Sequence, residues 1–344
     1  MPQSHRAPTL ERLDPDACNW RDMDALPDRV LFQTREWLDF LARTQQAEPV
    51  VAAVMRNGEH VGYFTGAIVK RYGLRILGSP LPGWTTPSMG FNLFGDVTPG
   101  AAVEAVTRFA FGPMRCSHLE LTDRRLTPAD VAGLDFEATP TLTYEIDLAG
   151  SEDHVLGRMS SACRRAIRRG EKVGTTVERV RGPAFAQEYY AQLEEVFARQ
   201  ALVPTYPVER VRELIHCLEP TDRLLLLRAC SPDGRPIATG IFVAFNGTAY
   251  FWGGASWRRD QHHRPNEAIF WHAMRHWRGA GMTTLDMGGG GDYKLRYGPR
   301  EVWLPALRRS RFRGLRHMRE LVRVKSEFAQ RRRGRNRARD AVAS

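Results

Sequence analysis

The chain has 344 residues and a mass of 39.0 kDa, with 42% hydrophobic and 26% charged residues. That balance buries sizeable cores and excludes disorder throughout. The formal charge of +11 is local: residues 308–340 hold fourteen Lys and Arg against three acids, and the rest is neutral. A globular surface built to hold nucleic acid is basic throughout, so the body excludes DNA as a partner and the pI of about 9.8 belongs to a tail.

A domain takes roughly 100–200 residues, so the length points to two. No run approaches the ~18 apolar residues of a membrane span, and the opening Met1-Pro2-Gln3-Ser4-His5-Arg6 has no apolar core of a signal peptide. The five cysteines (Cys18, Cys116, Cys163, Cys217, Cys230) are scattered and never spaced C-x-x-C. They predict neither a disulfide framework nor a zinc ribbon, and they suit a reducing cytoplasm.

In chain order the first half predicts a helix over 35–42 and strands over 50–55, 61–70 and 74–78. A Pro- and Gly-rich loop spans 79–90, followed by a helix over 101–111 and strands over 118–121 and 142–147. The second half predicts a basic helix over 155–172, a strand over 175–181, and helices over 185–200 and 208–218, the latter led by Pro207. Strands follow over 223–229, 237–245 and 248–253, with Asn246-Gly247 turning between the last two. The helix over 266–277 lines one face with Ile269, Phe270, Ala273 and Trp277, and Gly279 and Gly281 end it. A strand over 283–287, the glycine run 288–291 and a strand over 302–307 close the chain.

The two halves share this plan. An ungapped offset of 176 residues carries Asn57-Gly58 onto Asp233-Gly234, Val61 onto Ile237, Ala67 onto Val243 and Gly78 onto Gly254. Helices, an antiparallel meander, a helix and closing strands occur twice. The fold class is therefore mixed α/β of the α+β kind: two units, each a mixed, mainly antiparallel sheet flanked by helices. A doubly wound nucleotide fold alternates strand and helix throughout, and this chain does not.

Particular residues then carry a resemblance. Arg164-Arg165-Ala166-Ile167-Arg168-Arg169 opens the second half, and Tyr250-Phe251-Trp252-Gly253-Gly254-Ala255-Ser256 follows its central hairpin. Arg264-Pro265-Asn266 begins a helix, and Leu285-Asp286-Met287-Gly288-Gly289 and Tyr293-Lys294-Leu295-Arg296-Tyr297-Gly298 close the half. With Phe32-Gln33-Thr34-Arg35-Glu36-Trp37 near the start, the ordered set resembles the Fem/CelD-like branch of the GNAT acyltransferases, tandem proteins with a BioF2-like acetyltransferase domain. The likeness spans residues 10–311 and is best over 161–305. It implies an N-terminal GNAT-like domain over 1–147, a C-terminal acyltransferase domain over 148–312, and a basic helical or disordered tail over 313–344.

The resemblance implies acyl transfer from a thioester or an aminoacyl ester to an amine, in bacterial envelope or polysaccharide biosynthesis. The donor it implies is acyl-CoA, acetyl-CoA above all, with aminoacyl-tRNA as the alternative. The GNAT phosphate loop usually reads Arg/Gln-x-x-Gly-x-Gly/Ala, whereas residues 258–264 here contain no glycine. The expected phosphate contacts are Arg258, Arg259, Arg264, Asn266 at a helix start, and Gly289 and Gly290 of the glycine run. Lys294, just past those glycines, is expected as an exposed cation facing a phosphate or carbonyl. Asp286 and Asp292 are the nearest carboxylates to take the proton an attacking ammonium must lose.

Tyr206, Tyr250 and Trp252, like Trp84, are core or cleft-wall aromatics, and the first three with Tyr293 are the candidates for substrate contacts. His272 and His276 share a helix face, but Ala273 stands where a zincin has its Glu, so no metal is expected. Arg164, Arg165, Arg168 and Arg169 form either a solvated face or an anion-binding one. The tail is read as solubilising, or as contacting tRNA or the anionic inner leaflet, which places the protein in the cytoplasm, peripheral to the inner membrane. Three functions stay open: an acyl-CoA-dependent N-acyltransferase acting on an amine-bearing small molecule or polymer precursor, an aminoacyl-tRNA-dependent peptidyltransferase, and a non-catalytic RNA- or membrane-binding protein acting through its tail.

Overall fold

The structure, a computed structural model, describes residues 7–312. The basic stretch after residue 312 lies outside the described residues. The described chain forms two compact units, residues 7–142 with 303–312 and residues 143–302. The division thus falls inside a strand rather than after residue 147, and the last strand's residues from Trp303 onward belong with the first unit.

The first unit contains β1 (Thr9–Leu13), α1 (Trp20–Asp24), α2 (Arg35–Gln45), β2 (Glu48–Arg56), β3 (Glu59–Arg71) and β4 (Leu74–Ser79). It continues with β5 (Gly90–Leu93), α3 (Pro99–Phe111), β6 (His118–Thr122) and α4 (Pro128–Val131). β7 (Glu137–Asp147) leads into the second unit, with α5 (Glu152–Arg158), α6 (Ser161–Lys172), β8 (Thr176–Val180), α7 (Ala184–Ala198), α8 (Val208–Leu218) and β9 (Leu224–Cys230). β10 (Pro236–Phe245), β11 (Thr248–Ser256), α9 (Pro265–Gly279) and β12 (Thr284–Asp286) follow, and β13 (Arg300–Ser310) ends the described chain.

The first sheet runs β1-β2-β3-β4-β6-β13, with β5 paired to β3; the second runs β8-β9-β10-β11-β12-β7. Each contains one parallel pair, β4 with β6 and β11 with β12, where the chain crosses over through a helix. The remaining pairs within each sheet are antiparallel, as the repeated hairpins predict. The Asn57-Gly58 and Asn246-Gly247 turns place both residues at positive φ, the geometry of a two-residue hairpin. At Asp233-Gly234 only the glycine is at positive φ, and Ser231 closes a wider loop by bonding Arg235.

Burial follows the predicted faces. Ile269, Phe270, Ala273 and Trp277 of α9 are all buried, as is the apolar stripe Ala102, Val103, Val106, Phe109 and Ala110 of α3. The basic helix over 155–172 is two helices. Met159 is extended (ψ 152°), which ends the first helix, and Ser160 starts α6 by accepting the Cys163 N–H at 3.2 Å. The 79–90 loop ends in β5, a strand too short and too rich in polar neighbours to show a period. α7 and α9 cover opposite faces of the second sheet: Thr239 of β10 bonds Gln192 of α7, while its neighbour Gly240 backs onto Ile269 of α9. No helix of the described residues is long and apolar enough to cross a membrane.

Candidate active site

β11 and β12 pair only over Thr248–Tyr250 and Thr284–Asp286. β12 is paired on its other side with β7 throughout, and past Asp286 the chain keeps to β7 alone, with Met287 N–H on Tyr144 O at 2.8 Å and Tyr144 N–H on Gly288 O at 3.3 Å. β11 nevertheless runs on to Ser256, held on its other side by β10. The result is a splayed pair whose open edge is the second half of β11, where Gly254 is exposed. A β-bulge marks the start of that edge: Ile241 faces Gly253 and Phe242 faces Phe251, so Trp252 is the extra residue.

One face of α7 tracks this half-strand. Tyr189, Gln192 and Glu195 recur every three residues. The Tyr189 hydroxyl lies where a Cβ on Gly253 would sit, which is why β11 needs glycine there. Gln192 is fully buried and its Oε1 accepts from the Thr239 hydroxyl at 2.7 Å. Glu195 accepts the backbone N–H of Arg258 at 2.9 Å, which ties α7 to the loop after β11. Tyr206 bonds Tyr189 hydroxyl to hydroxyl at 2.8 Å, packs against Trp252 at a tilt of 49° with ring centroids 5.4 Å apart, and lies under the Arg210 guanidinium at 5.3 Å. Burial holds the Tyr206 phenol above its usual range. Tyr206 and Trp252, both singled out in the sequence, therefore meet, while Tyr250 stands at the last rung opposite Asp286. Tyr189, Gln192, Glu195 and Arg210 were missed, although polar residues at i, i+3 and i+6 on an otherwise apolar helix face were the available signal.

The glycine-free stretch 258–263 is wound as a 3-10 helix, and Arg264 takes the left-handed conformation (φ 57°) just before α9. Asp260 is buried, and its carboxylate pairs with Arg235 through two bonds of 2.8 and 2.9 Å and with Arg259 at 3.5 Å. The Arg235 hydrogen bonds hold that carboxyl below the usual range. Arg259 is mostly exposed and meets that carboxylate at 3.5 Å, and Asn266 donates to Gln261, which in turn donates to Ser256. Arg258 is exposed. Two buried nitrogens beside the start of α9, His263 Nδ1 and Arg264 Nε, have no hydrogen-bond partner.

Lys294 corrects an expectation. It is 6% exposed, not a surface cation, and sits in a 3-10 helix, Asp292–Tyr297. Its Nζ donates to Gly288 O at 3.2 Å and Gly289 O at 2.8 Å, and burial pulls its pKa down to about 8 against the opposing pull of Asp286. Those glycines present carbonyls to an ammonium, while the Gly288 N–H is taken by Asp286 at 2.7 Å. Asp286 is itself buried and accepts from the Thr143 hydroxyl. Asp292 and Tyr293 are exposed, and the Lys294 and Arg296 cations lie 5.9 and 6.0 Å from the Tyr293 ring centre. Asp286, Gly288, Gly289 and Lys294 so form one network at the end of β12. Among the described residues no His, Cys, Asp and Glu group has metal-binding geometry.

Comparison with known proteins agrees with this architecture. The GNAT acetyltransferase domain family matches residues 157–297, the segment that holds the splayed strands, α7, α9 and the glycine run. The fold is similar to that of FemX at a TM-score of 0.69 and 13% identity, covering 86% of this chain and 96% of FemX. It is also similar to a conserved protein of unknown function from Bacteroides thetaiotaomicron (TM-score 0.56, 13% identity, 87% and 98% covered). A tandem GNAT protein from the clavulanic acid biosynthesis pathway shares it as well (TM-score 0.53, 11% identity, 88% and 98% covered). No curated protein sequence matches the chain.

Proposed function

We propose, from the premise that residues 157–297 are a GNAT-type acetyltransferase domain, that the chain transfers an acyl group from an acyl thioester, acyl-CoA, to an amine. The observation that carries this reading is the open second half of β11, bulged at Trp252 and leading directly to the start of α9. An extended thioester arm adds to such an edge as a strand does, main chain to amide. The two partnerless nitrogens at His263 and Arg264 fit a phosphate at the other end of that arm, with Arg258 and the α9 N-terminus beside them. Bound there, acyl-CoA supplies the activated acyl carbon.

Around it the chain's own residues have separate tasks. Lys294 and Asp286 hold the glycine run at Gly288 and Gly289. Tyr206, Tyr250, Trp252 and Tyr293 bound the amine's approach. Asp292, the exposed carboxylate, takes one proton of the attacking ammonium, since Asp286 is occupied by Thr143 and Gly288; the C–N bond forms as the C–S bond breaks, and the amine's second proton goes to the released thiolate.

A second reading, aminoacyl-tRNA as donor, is favoured by one observation: the loop before α9 has no glycine and carries a buried carboxylate, Asp260, where a diphosphate prefers bare amides. The acceptor is proposed as an amine of an envelope or polysaccharide precursor, met in the cytoplasm at the inner membrane. Contact with tRNA or anionic lipid is assigned to residues after 312.

The test is thermal. Acetyl-CoA raises the melting midpoint with dose, as any ligand of the folded state does, and Arg264→Ala weakens the effect. A flat response to a panel of acyl-CoAs with a rise on adding aminoacyl-tRNA transfers the assignment to the second reading. No response to either refutes both.

A further inference from the structure

The first unit contains its own version of the splayed pair, and it is closed. The 176-residue offset carries Thr65 and Gly66 of β3 onto Ile241 and Phe242 of β10, the two residues that flank the bulge of β11. Opposite Thr65 and Gly66 the first unit has no single-residue bulge. It has the whole excursion 80–89, after which β5 resumes pairing with β3 in the direction of β4. In this register Gly90 takes the place of Gly253 and Phe91 that of Gly254, whereas Gly78, which the ungapped offset carries onto Gly254, stands opposite Ala67 as Tyr250 stands opposite Val243.

Where β12 turns away, β6 does not. Its pairing with β4 runs to the last residue of that strand, Ser79 opposite Leu121. The chain's own backbone then fills the space beyond. Met89 N–H bonds Thr122 O at 2.9 Å, Gly90 N–H bonds the Ser79 hydroxyl at 2.8 Å, and Phe91 N–H bonds Asp123 Oδ2 at 2.7 Å. Counted from the first rung of each parallel pair, His118 and Thr284, Asp123 stands where the second unit has Gly289. Asp123 is 3% exposed, accepts the Arg125 N–H at 2.9 Å, and abuts Gly90 so closely that a Cβ there would overlap its carboxylate.

We propose that the first unit carries a sealed copy of the donor site. The Asp123 carboxylate holds the Phe91 amide in the way a carbonyl oxygen of the acyl donor holds the Gly254 amide, and the chain takes one donor, in the second unit. The one-donor part rests on the acyl-transfer reading; the seal does not. The carboxylate at Asp123 replaces the glycine that leaves the second unit open, so the two halves differ by a plug and not by fold.

Amide hydrogen exchange on the full chain, without ligand and with saturating acetyl-CoA, tests both parts. In the free chain the Phe91 amide exchanges at least about 100-fold more slowly than that of Gly254, the protection expected of a buried bonded amide against an open one. Asp123→Ala removes at least about tenfold of that protection, while Asp123→Asn, which keeps an acceptor oxygen, retains most of it. Acetyl-CoA slows residues 252–256, leaves 89–91 unchanged and binds at one equivalent. Equal exchange of Phe91 and Gly254 in the free chain overturns the seal, as does protection of 89–91 by acetyl-CoA or a second equivalent bound. If acetyl-CoA changes neither segment, the acyl-CoA reading and the one-donor part fall, and the free-chain contrast still decides the seal.

Discussion

Replacing Lys294 separates a buried structural ammonium from a surface charge. Lys294→Ala removes two charge-assisted hydrogen bonds, to Gly288 O and Gly289 O. Each such bond is worth about 1.5–3 kcal/mol, but Gly288 O keeps the Tyr144 N–H as a second donor, which limits its loss. Against this, removing the ammonium relieves the cost of burying it. A pKa moved from 10.5 to about 8 corresponds to at most about 3 kcal/mol, and to about 1–2 kcal/mol once solvent screening is allowed for. The net expectation is a loss of about 2 kcal/mol, or about 4–8 °C in midpoint for a unit of this size.

The pH dependence carries the sharper sign. Because the folded pKa lies below the unfolded one, the unfolded chain binds the extra proton between about pH 8 and 10.5. Wild-type stability therefore gains from this group as pH rises through that window, and Lys294→Met lacks the gain. Urea unfolding of both proteins at pH 7, 9 and 10.5 measures it. Equal midpoints at pH 7 together with parallel pH dependences would refute the buried-ammonium argument. In the transfer assay Lys294→Ala also lowers kcat/KM, because the Gly288 and Gly289 carbonyls lose the ammonium that holds them.

Gly90→Ala forces a side chain onto the Asp123 carboxylate at a φ of +89°, and costs at least about 3 kcal/mol in chemical denaturation, against about 1 kcal/mol or less at an exposed glycine such as Gly279. Tyr206→Phe leaves the buried Tyr189 hydroxyl without its partner and lowers stability by about 1–2 kcal/mol, with a larger KM for the amine than loss of kcat. Asp292→Asn lowers kcat, while the melting midpoint stays within about 1 °C, as for any exposed side chain. A chain ending at Phe312 keeps acyl transfer from acetyl-CoA and loses binding to anionic vesicles and tRNA; loss of transfer itself would contradict the assignment of those contacts to the tail.

Much of the fold was legible because its signals are local. The helix over 208–218 and the hairpin at Asn246-Gly247 follow from amphipathic period and from turn residues that tolerate positive φ. The break at Met159 and Ser160 was not read, because the basic residues on both sides share one composition and only the hydroxyl cap, bonded to Cys163, divides them. Of the candidate site, Tyr206 and Trp252 were identified singly, but their contact depends on β11 meeting the segment before α8. The burial of Lys294 was missed because a lysine beside glycines has the local composition of a surface turn, and its two carbonyl partners lie in the glycine run itself.

By itself the sequence determined two like units, each a largely antiparallel sheet with its helices, since periodicity, turn chemistry and the 176-residue offset are all written in short stretches. Only the tertiary structure decided which unit is open. That depends on where β6 and β12 go after pairing begins, and on whether a carboxylate or a glycine faces the freed edge. Backbone amides have the same chemistry at Phe91 and Gly254. What distinguishes them is the acceptor brought from 32 residues away, Asp123, which satisfies one amide and has no counterpart at Gly289 for the other.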